Sequence, residues 1–172
     1  MATDDSWKPP RDGVENKVVR DVEAAAARRE ELRKQHKKVV LTNGAFDLLH
    51  VGHVRSLRHA RSLGDHLMVA VNSDRAVRRS KGPNRPLFAE AERLELLAAL
   101  GCVDTVFLFD EPTADAILLR LKPDVHAKGP DYTLETVPER ATVLGYGGEI
   151  AITGDPKNHS SSSIQQKLRG GA

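Results

Sequence analysis

The sequence predicts an α/β protein, a Rossmann-like, doubly wound parallel sheet in a single domain. Two observations predict it. Short β-branched and aliphatic runs alternate with longer segments whose apolar residues recur at helical spacing, and the linkers between them are short. A third observation places the ligand. Two histidines three residues apart, separated by a glycine, follow directly on the first apolar run, and sheets of this class gather ligands at the carboxyl ends of their strands.

In chain order, residues 1–13 mix Pro, Gly, Asp and Lys without periodicity and are read as a flexible arm. Residues 14–37 form the next unit. Ala, Glu, Arg and Lys dominate it, and Val18, Val22, Ala25, Ala26 and Leu32 fall at loose helical spacing, so an amphipathic packing helix is expected over 14–36. The main domain is expected over 38–169, opening with a strand at 38–41. Val54, Leu57 and Ala60 then predict a helix over 51–63 that stops at Gly64. A strand at 66–72, a helix at 89–100 closed by Gly101 and a strand at 105–109 come next. A helix at 113–121 ends at Lys122-Pro123, followed by a strand at 125–128, a helix at 138–144 and a last strand at 149–153. Lys81 falls in a loop between Asp74 and Arg85. The serines at 160–163 precede Ile164 and Leu168 in a helix-compatible pattern and read as a capped helix start. No internal repeat or second domain is evident.

Composition narrows the function. At 172 residues with 40% hydrophobic content, the chain suits one folding unit with a real core. Lys and Arg number 26 against 24 Asp and Glu, and aromatics make up 4%, so a large basic face or a base-stacking platform for nucleic acid is not expected. The single Cys102 allows no internal disulfide or thiolate cluster and reads as a small buried hydrophobe. No apolar stretch approaches a membrane span and the N-terminus has no apolar signal core. A cytoplasmic protein without a membrane partner is expected.

The segment TNGAFDLLHVGH, residues 42–53, carries the chemistry. It sits at a strand-to-helix turn, where unpaired backbone N–H groups and the positive end of the helix dipole attract anions. Gly44 and Gly52 leave room for phosphate near the backbone. Thr42, Asn43, Gly44, Ala45 and Phe46 would form the turn, and a nucleoside triphosphate is the natural ligand. His50 and His53 would donate hydrogen bonds to its phosphates. A zinc pair fails for want of a third ligand nearby.

These residues resemble the HxGH nucleotidylyltransferase superfamily, in its cytidylyltransferase-like branch, and within that branch the D-glycero-D-manno-heptose 1-phosphate adenylyltransferases. Four further pieces match in order: Val71-Asn72-Ser73-Asp74; Lys81-Gly82 with Arg85-Pro86; Lys128-Gly129-Pro130-Asp131-Tyr132, close to that family's KGGDY; and Ser160-Ser161-Ser162-Ser163-Ile164, in place of its STTxI. The resemblance spans about residues 36–168.

It implies transfer of AMP from ATP to heptose 1-phosphate, with Mg²⁺ bound mainly through the ATP phosphates. By the resemblance, His50, His53 and Lys81 are catalytic, Lys81 as a mobile cation at the phosphates among Arg78, Arg79 and Arg85. Lys128 and Asp131 would read the nucleoside or sugar, although Pro130 replaces a family glycine and removes an N–H. Ser160, Ser161 and Ser162 would form a second anion site, with no role assigned to His159. Asp74, Arg85 and Arg93 would face the acceptor, an ion pair with Glu90 being the other reading of Arg93. Asp47 is open between magnesium binding and capping its own turn. A separate sugar kinase is expected, because about 36 residues before the first strand are too few for one, and a homodimer is left open. Glycerol-3-phosphate cytidylyltransferase is the neighbouring alternative, disfavoured because its RTEGISTT is matched here by a stretch without arginine. An inactive nucleotide-binding regulator is the alternative of another class, and it would be expected to have lost His50, His53 or the cationic loop.

Overall fold

A computed structural model describes residues 13–155. Strand β1 (Val39–Gly44) is the centre of a five-stranded sheet. Its first four residues are buried, as a strand covered on both faces requires. It pairs in parallel with β2 (His66–Asn72) on one side and β4 (Val125–Lys128) on the other, so Thr42 lies opposite both Val69 and Ala127. Strand β3 (Thr105–Phe109) joins β2, and β5 (Glu149–Ile152) joins β4, giving the all-parallel order β3-β2-β1-β4-β5. The chain builds outward from β1 to β3, then crosses back to β4. The order therefore reverses between β1 and β4, where a crevice opens at the carboxyl ends.

Alternation along the strands splits the core into two layers. Leu41, Met68 and Phe107 face helices α1 (Val22–Lys34), α5 (Asp115–Leu121) and α6 (Arg140–Gly145), packing on Ala25, Ile117, Leu118 and Val143. Val40, Val69 and Val106 face α2 (Val51–Ser62) and α4 (Glu90–Ala98), packing on Leu57, Ala60 and Leu97. Gly64 is fixed by close approach at the turn into β2: a Cβ there would lie 2.6 Å from the Lys38 carbonyl oxygen. The fold class and each expected strand are present.

Two elements differ from expectation. The helix expected over 14–36 is broken into a 3-10 turn at Val14–Lys17 and α1. Between them Val18 bridges to Val106, and the Val19 N–H donates to the Val106 carbonyl at 2.9 Å. The segment thus covers the outer edge of β3, whose backbone groups would otherwise be unpaired. Asp21 restarts the helix by accepting the Ala24 N–H at 2.8 Å. The second difference is α3 (Asp74–Lys81), where a loop was expected. Ser73 caps it, accepting the Ala76 N–H at 3.0 Å, and only Ala76 and Val77 of its eight residues are buried. Lys81 is its exposed last residue. Residues 1–12 of the arm expected over 1–13, and the helix start at Ser160, lie outside the described residues. Among those described, no helix is long and apolar enough to cross a membrane.

Candidate active site

After Gly44 the chain leaves the sheet through a tight turn. Phe46 takes φ of 48°, a left-handed conformation uncommon for an aromatic residue. Its ring packs on His53 with centroids 5.4 Å apart. His50 is the extended residue before α2, and its backbone N–H donates to Nδ1 of His53 at 3.4 Å. The two imidazoles lie 4.0 Å apart, centre to centre. Because Nδ1 of His53 accepts, its proton resides on Nε2. Burial, with the charges of His50 and Lys81, pushes the His53 pKa down to about 4 against the opposing pull of Asp131. His53 is therefore neutral near pH 7 and offers an N–H to a ligand at the start of α2, where the backbone already favours anions. The end of α3 and the loop after β4 converge electrostatically on this turn.

A buried scaffold fixes the turn from beneath. The Asp47 carboxylate accepts from Arg85 and from the Leu87 N–H, both at 2.5 Å, and from the Phe88 N–H at 3.3 Å. Asp47 thus holds residues 85–88 against the histidine turn. Arg93 has no exposed surface. Its guanidinium donates to the carbonyls of Ala45 (2.5 Å), Asn72 (2.8 Å) and Phe88 (3.1 Å) and to the Asp74 carboxylate (2.8 Å). This corrects the expectation that Arg93 faces the acceptor. It does not pair with Glu90 either, since that carboxylate accepts the Asp74 N–H at 2.8 Å. Arg93 instead joins the ends of β1 and β2 to the start of α4. Asp74 also lies 3.6 Å from Arg78, so Asp74 and Arg85 are both engaged by the protein.

On the other face of β1, a cavity of about 570 Å³ opens at the carboxyl ends of four strands, lined by Asn43, Asn72, Phe109 and Lys128 with Arg79 and Ser80 of α3. Lys128 is buried; its ammonium donates to Asn43 Oδ1 at 3.3 Å and Glu139 Oε1 at 3.4 Å, and lies 4.9 Å from the centre of the Tyr132 ring. Burial acts to raise the Glu139 pKa, but His126 and Lys128 outweigh it and bring it to about 2. Glu139 is a site residue the sequence reading did not single out. Asp110, past the end of β3, takes hydrogen bonds from Arg75, Ser73 and Arg79, which hold its carboxyl far below the usual range. Asp131 and Pro130 are exposed on the loop after β4, and Gly52 lies in the first turn of α2.

At the far side, β5 is tied to α2: Ser56 Oγ lies 2.9 Å from Thr153 Oγ1, and Arg55 pairs with Asp155 at 2.7 Å. Ser160, Ser161 and Ser162 lie outside the described residues. Among the described residues no three His, Cys, Asp or Glu side chains are grouped to hold a metal ion. Cys102 is half-buried, and burial pushes its thiol pKa up, away from reactivity.

The histidine turn and the switch-point cavity fall inside a single match to known proteins. A cytidylyltransferase-like family model matches residues 41–167, most of the chain. The chain belongs to the cytidylyltransferase-like family. It is by that membership a nucleotidyltransferase, and the match runs past the described residues through the serines at 160–163. Bifunctional protein HldE of Syntrophotalea carbinolica is 48% identical over 136 residues, 79% of this chain and 28% of that protein. HldE of Citrifermentans bemidjiense is 49% identical over 148 residues, covering 86% and 30%. The chain thus spans less than a third of the length of these curated relatives. Among solved structures, a lipopolysaccharide core biosynthesis protein from Thermoplasma volcanium GSS1 superposes with a TM-score of 0.60 at 30% identity, over 70% of this chain and 99% of that one. A pantoate-beta-alanine ligase from Francisella tularensis, 16% identical with a TM-score of 0.57, shares the fold.

Proposed function

We propose that the chain transfers AMP from ATP to D-glycero-D-manno-heptose 1-phosphate, giving ADP-heptose and pyrophosphate. The observation that carries this reading is the pair of histidines at the start of α2, with a neutral His53 N–H at an anion site beside the switch-point cavity. The similarity to HldE and to a lipopolysaccharide core biosynthesis protein supports the choice of acceptor.

In the transfer, an oxygen of the ionised acceptor phosphate attacks the α-phosphorus of ATP. A P–O bond forms to the acceptor, the bond to the β-phosphate oxygen breaks, and its electron pair leaves with pyrophosphate. No proton has to move, so the protein supplies position and charge stabilisation. His50 and His53 donate to the phosphate oxygens as charge shifts toward the leaving group. Lys81, exposed at the end of α3, is a cation that would swing onto them. Thr42, Asn43 and Gly44, with the amides of Ala45 and Phe46, line the turn, and Gly52 keeps the first turn of α2 open to phosphate. Ser160, Ser161 and Ser162 supply the second anion contact, and Asp131 a polar group at the loop after β4. Asp74, Arg85 and Arg93 act as positioning residues. Mg²⁺ held mainly through the oxygens of the triphosphate would supply charge neutralisation. A sugar kinase provides the acceptor phosphate, and the reaction is cytoplasmic, where ATP is available.

The test is pyrophosphate release from ATP, CTP and GTP, each offered with heptose 1-phosphate or glycerol 3-phosphate. ATP with heptose 1-phosphate should be favoured over CTP by at least about tenfold, roughly 1.4 kcal/mol, which one or two base-edge contacts supply. Faster turnover of CTP with glycerol 3-phosphate would overturn the substrate assignment.

A further inference from the structure

Beneath the cavity lies a buried ion pair, Lys128 with Glu139, that the transfer steps above do not use. Glu139 is 4% exposed, precedes α6 and lines the cavity. Its Oε2 lies 3.3 Å from Lys128 Nζ and 3.7 Å from Nε2 of the fully buried His126, yet it accepts a hydrogen bond from neither. Buried carboxylate oxygens ordinarily have a donor. The Lys128 contacts to Asn43 and Glu139, at 3.3 and 3.4 Å, lie at the long end of the range for charged groups. The cluster is therefore assembled but slack, with an acceptor unfilled and donors poorly aligned.

Its charge says what would complete it. The Lys128 ammonium and the Glu139 carboxylate neutralise each other, so this floor attracts a phosphate weakly. A hydroxyl both donates and accepts, and it answers an open carboxylate oxygen beside an ammonium and an amide. Two neighbouring hydroxyls would engage Glu139 and Lys128 together. The Tyr132 ring, also lining the cavity, offers an apolar wall for the C–H face of a sugar, and about 570 Å³ is ample for a seven-carbon sugar.

We infer that Glu139, acting with Lys128 and Asn43, reads the hydroxyl groups of the acceptor and selects a polyhydroxylated sugar phosphate over a small one. The choice of heptose 1-phosphate as that sugar rests on the reading under Proposed function; the presence of a hydroxyl-binding floor does not.

The experiment is calorimetric titration of the full chain with its nucleotide site filled by Mg²⁺ and α,β-methylene ATP, which cannot react. Wild-type protein should bind heptose 1-phosphate at least about tenfold more tightly than glycerol 3-phosphate, and Glu139→Gln should remove at least about tenfold of the heptose 1-phosphate affinity. Affinity for the nucleotide analogue alone should change by less than about twofold, within the spread of a residue that does not touch it. Equal wild-type affinity for the two phosphates, or no binding of heptose 1-phosphate, overturns the inference without requiring any variant to fold. So does a Glu139→Gln protein that stays folded and keeps its heptose 1-phosphate affinity. Loss confined to the nucleotide analogue also overturns it, by making the cluster a ribose site. Pyrophosphate release by wild-type protein is scored separately: Glu139-dependent sugar binding without release would preserve the inference and remove the transferase reading.

Discussion

His53→Ala lowers turnover by at least about a hundredfold while the protein stays folded, because it removes a donor placed where charge builds on phosphate during transfer. The neutral state of His53 matters to the size of the effect. With its pKa near 4, the ring does not carry a full charge that would bind ground-state ATP tightly. Its contribution is a directed N–H whose value grows as the bond to the leaving pyrophosphate breaks, so the maximal rate should fall more than the affinity for ATP. The fold should tolerate the change, since alanine is a strong helix former and the one described hydrogen bond lost is the 3.4 Å contact from the His50 N–H. Pyrophosphate release by purified variant, with circular dichroism as the folding control, checks both halves. Near-wild-type release would remove His53 from the mechanism.

Arg93→Met has the largest expected effect on stability. The fully buried guanidinium holds three carbonyls and the Asp74 carboxylate at once. Methionine fills much of the volume but takes the guanidinium donor away from all four acceptors, and breaking such a buried charge network costs about 3–5 kcal/mol. For a chain of this size that lowers the melting temperature by roughly 6–20 °C. Because Ala45 and Asn72 lie at the ends of β1 and β2, the loss falls on the segments that shape the histidine turn. Thermal melting followed by circular dichroism decides it. A melting temperature within about 2 °C of wild type would mean that the network contributes little.

These two residues also show how far the sequence could be read. The position of His53 was legible because its signals are local: the strand at 38–41, the glycine-bearing turn and the helix marked by Val54, Leu57 and Ala60 are all encoded within residues 38–63, whereas its role was implied by the family resemblance. Arg93 was not, because its partners come from three other segments and its direction depends on how α4 docks on β2. Asp47 shows the same limit, since what it binds lies at residues 85–88. Glu139 was silent for a related reason: parallel alternation places Lys128 and His126 on one face of β4, but only the path of the chain into α6 brings Glu139 beneath them. The short helix α3 escaped notice because eight residues with two buried side chains leave too little hydrophobic pattern to distinguish it from a charged loop. Val18 suited a helical stripe and an edge bridge equally well. Pairing to β3 prevailed because it satisfies backbone groups that a longer helix would have left open.

The most direct test of nucleotidyl transfer follows the phosphorus atoms of ATP through the reaction. Wild-type protein is incubated with Mg²⁺, heptose 1-phosphate and ATP labelled at either the α- or the γ-phosphate, and the products are separated. Attack at the α-phosphorus predicts that the α-label appears in a sugar nucleotide, one label per sugar, while the γ-label is recovered wholly in pyrophosphate. Recovery of the γ-label in the sugar, or of the α-label in free ADP, would mean that the protein transfers a phosphoryl group instead and would contradict the account.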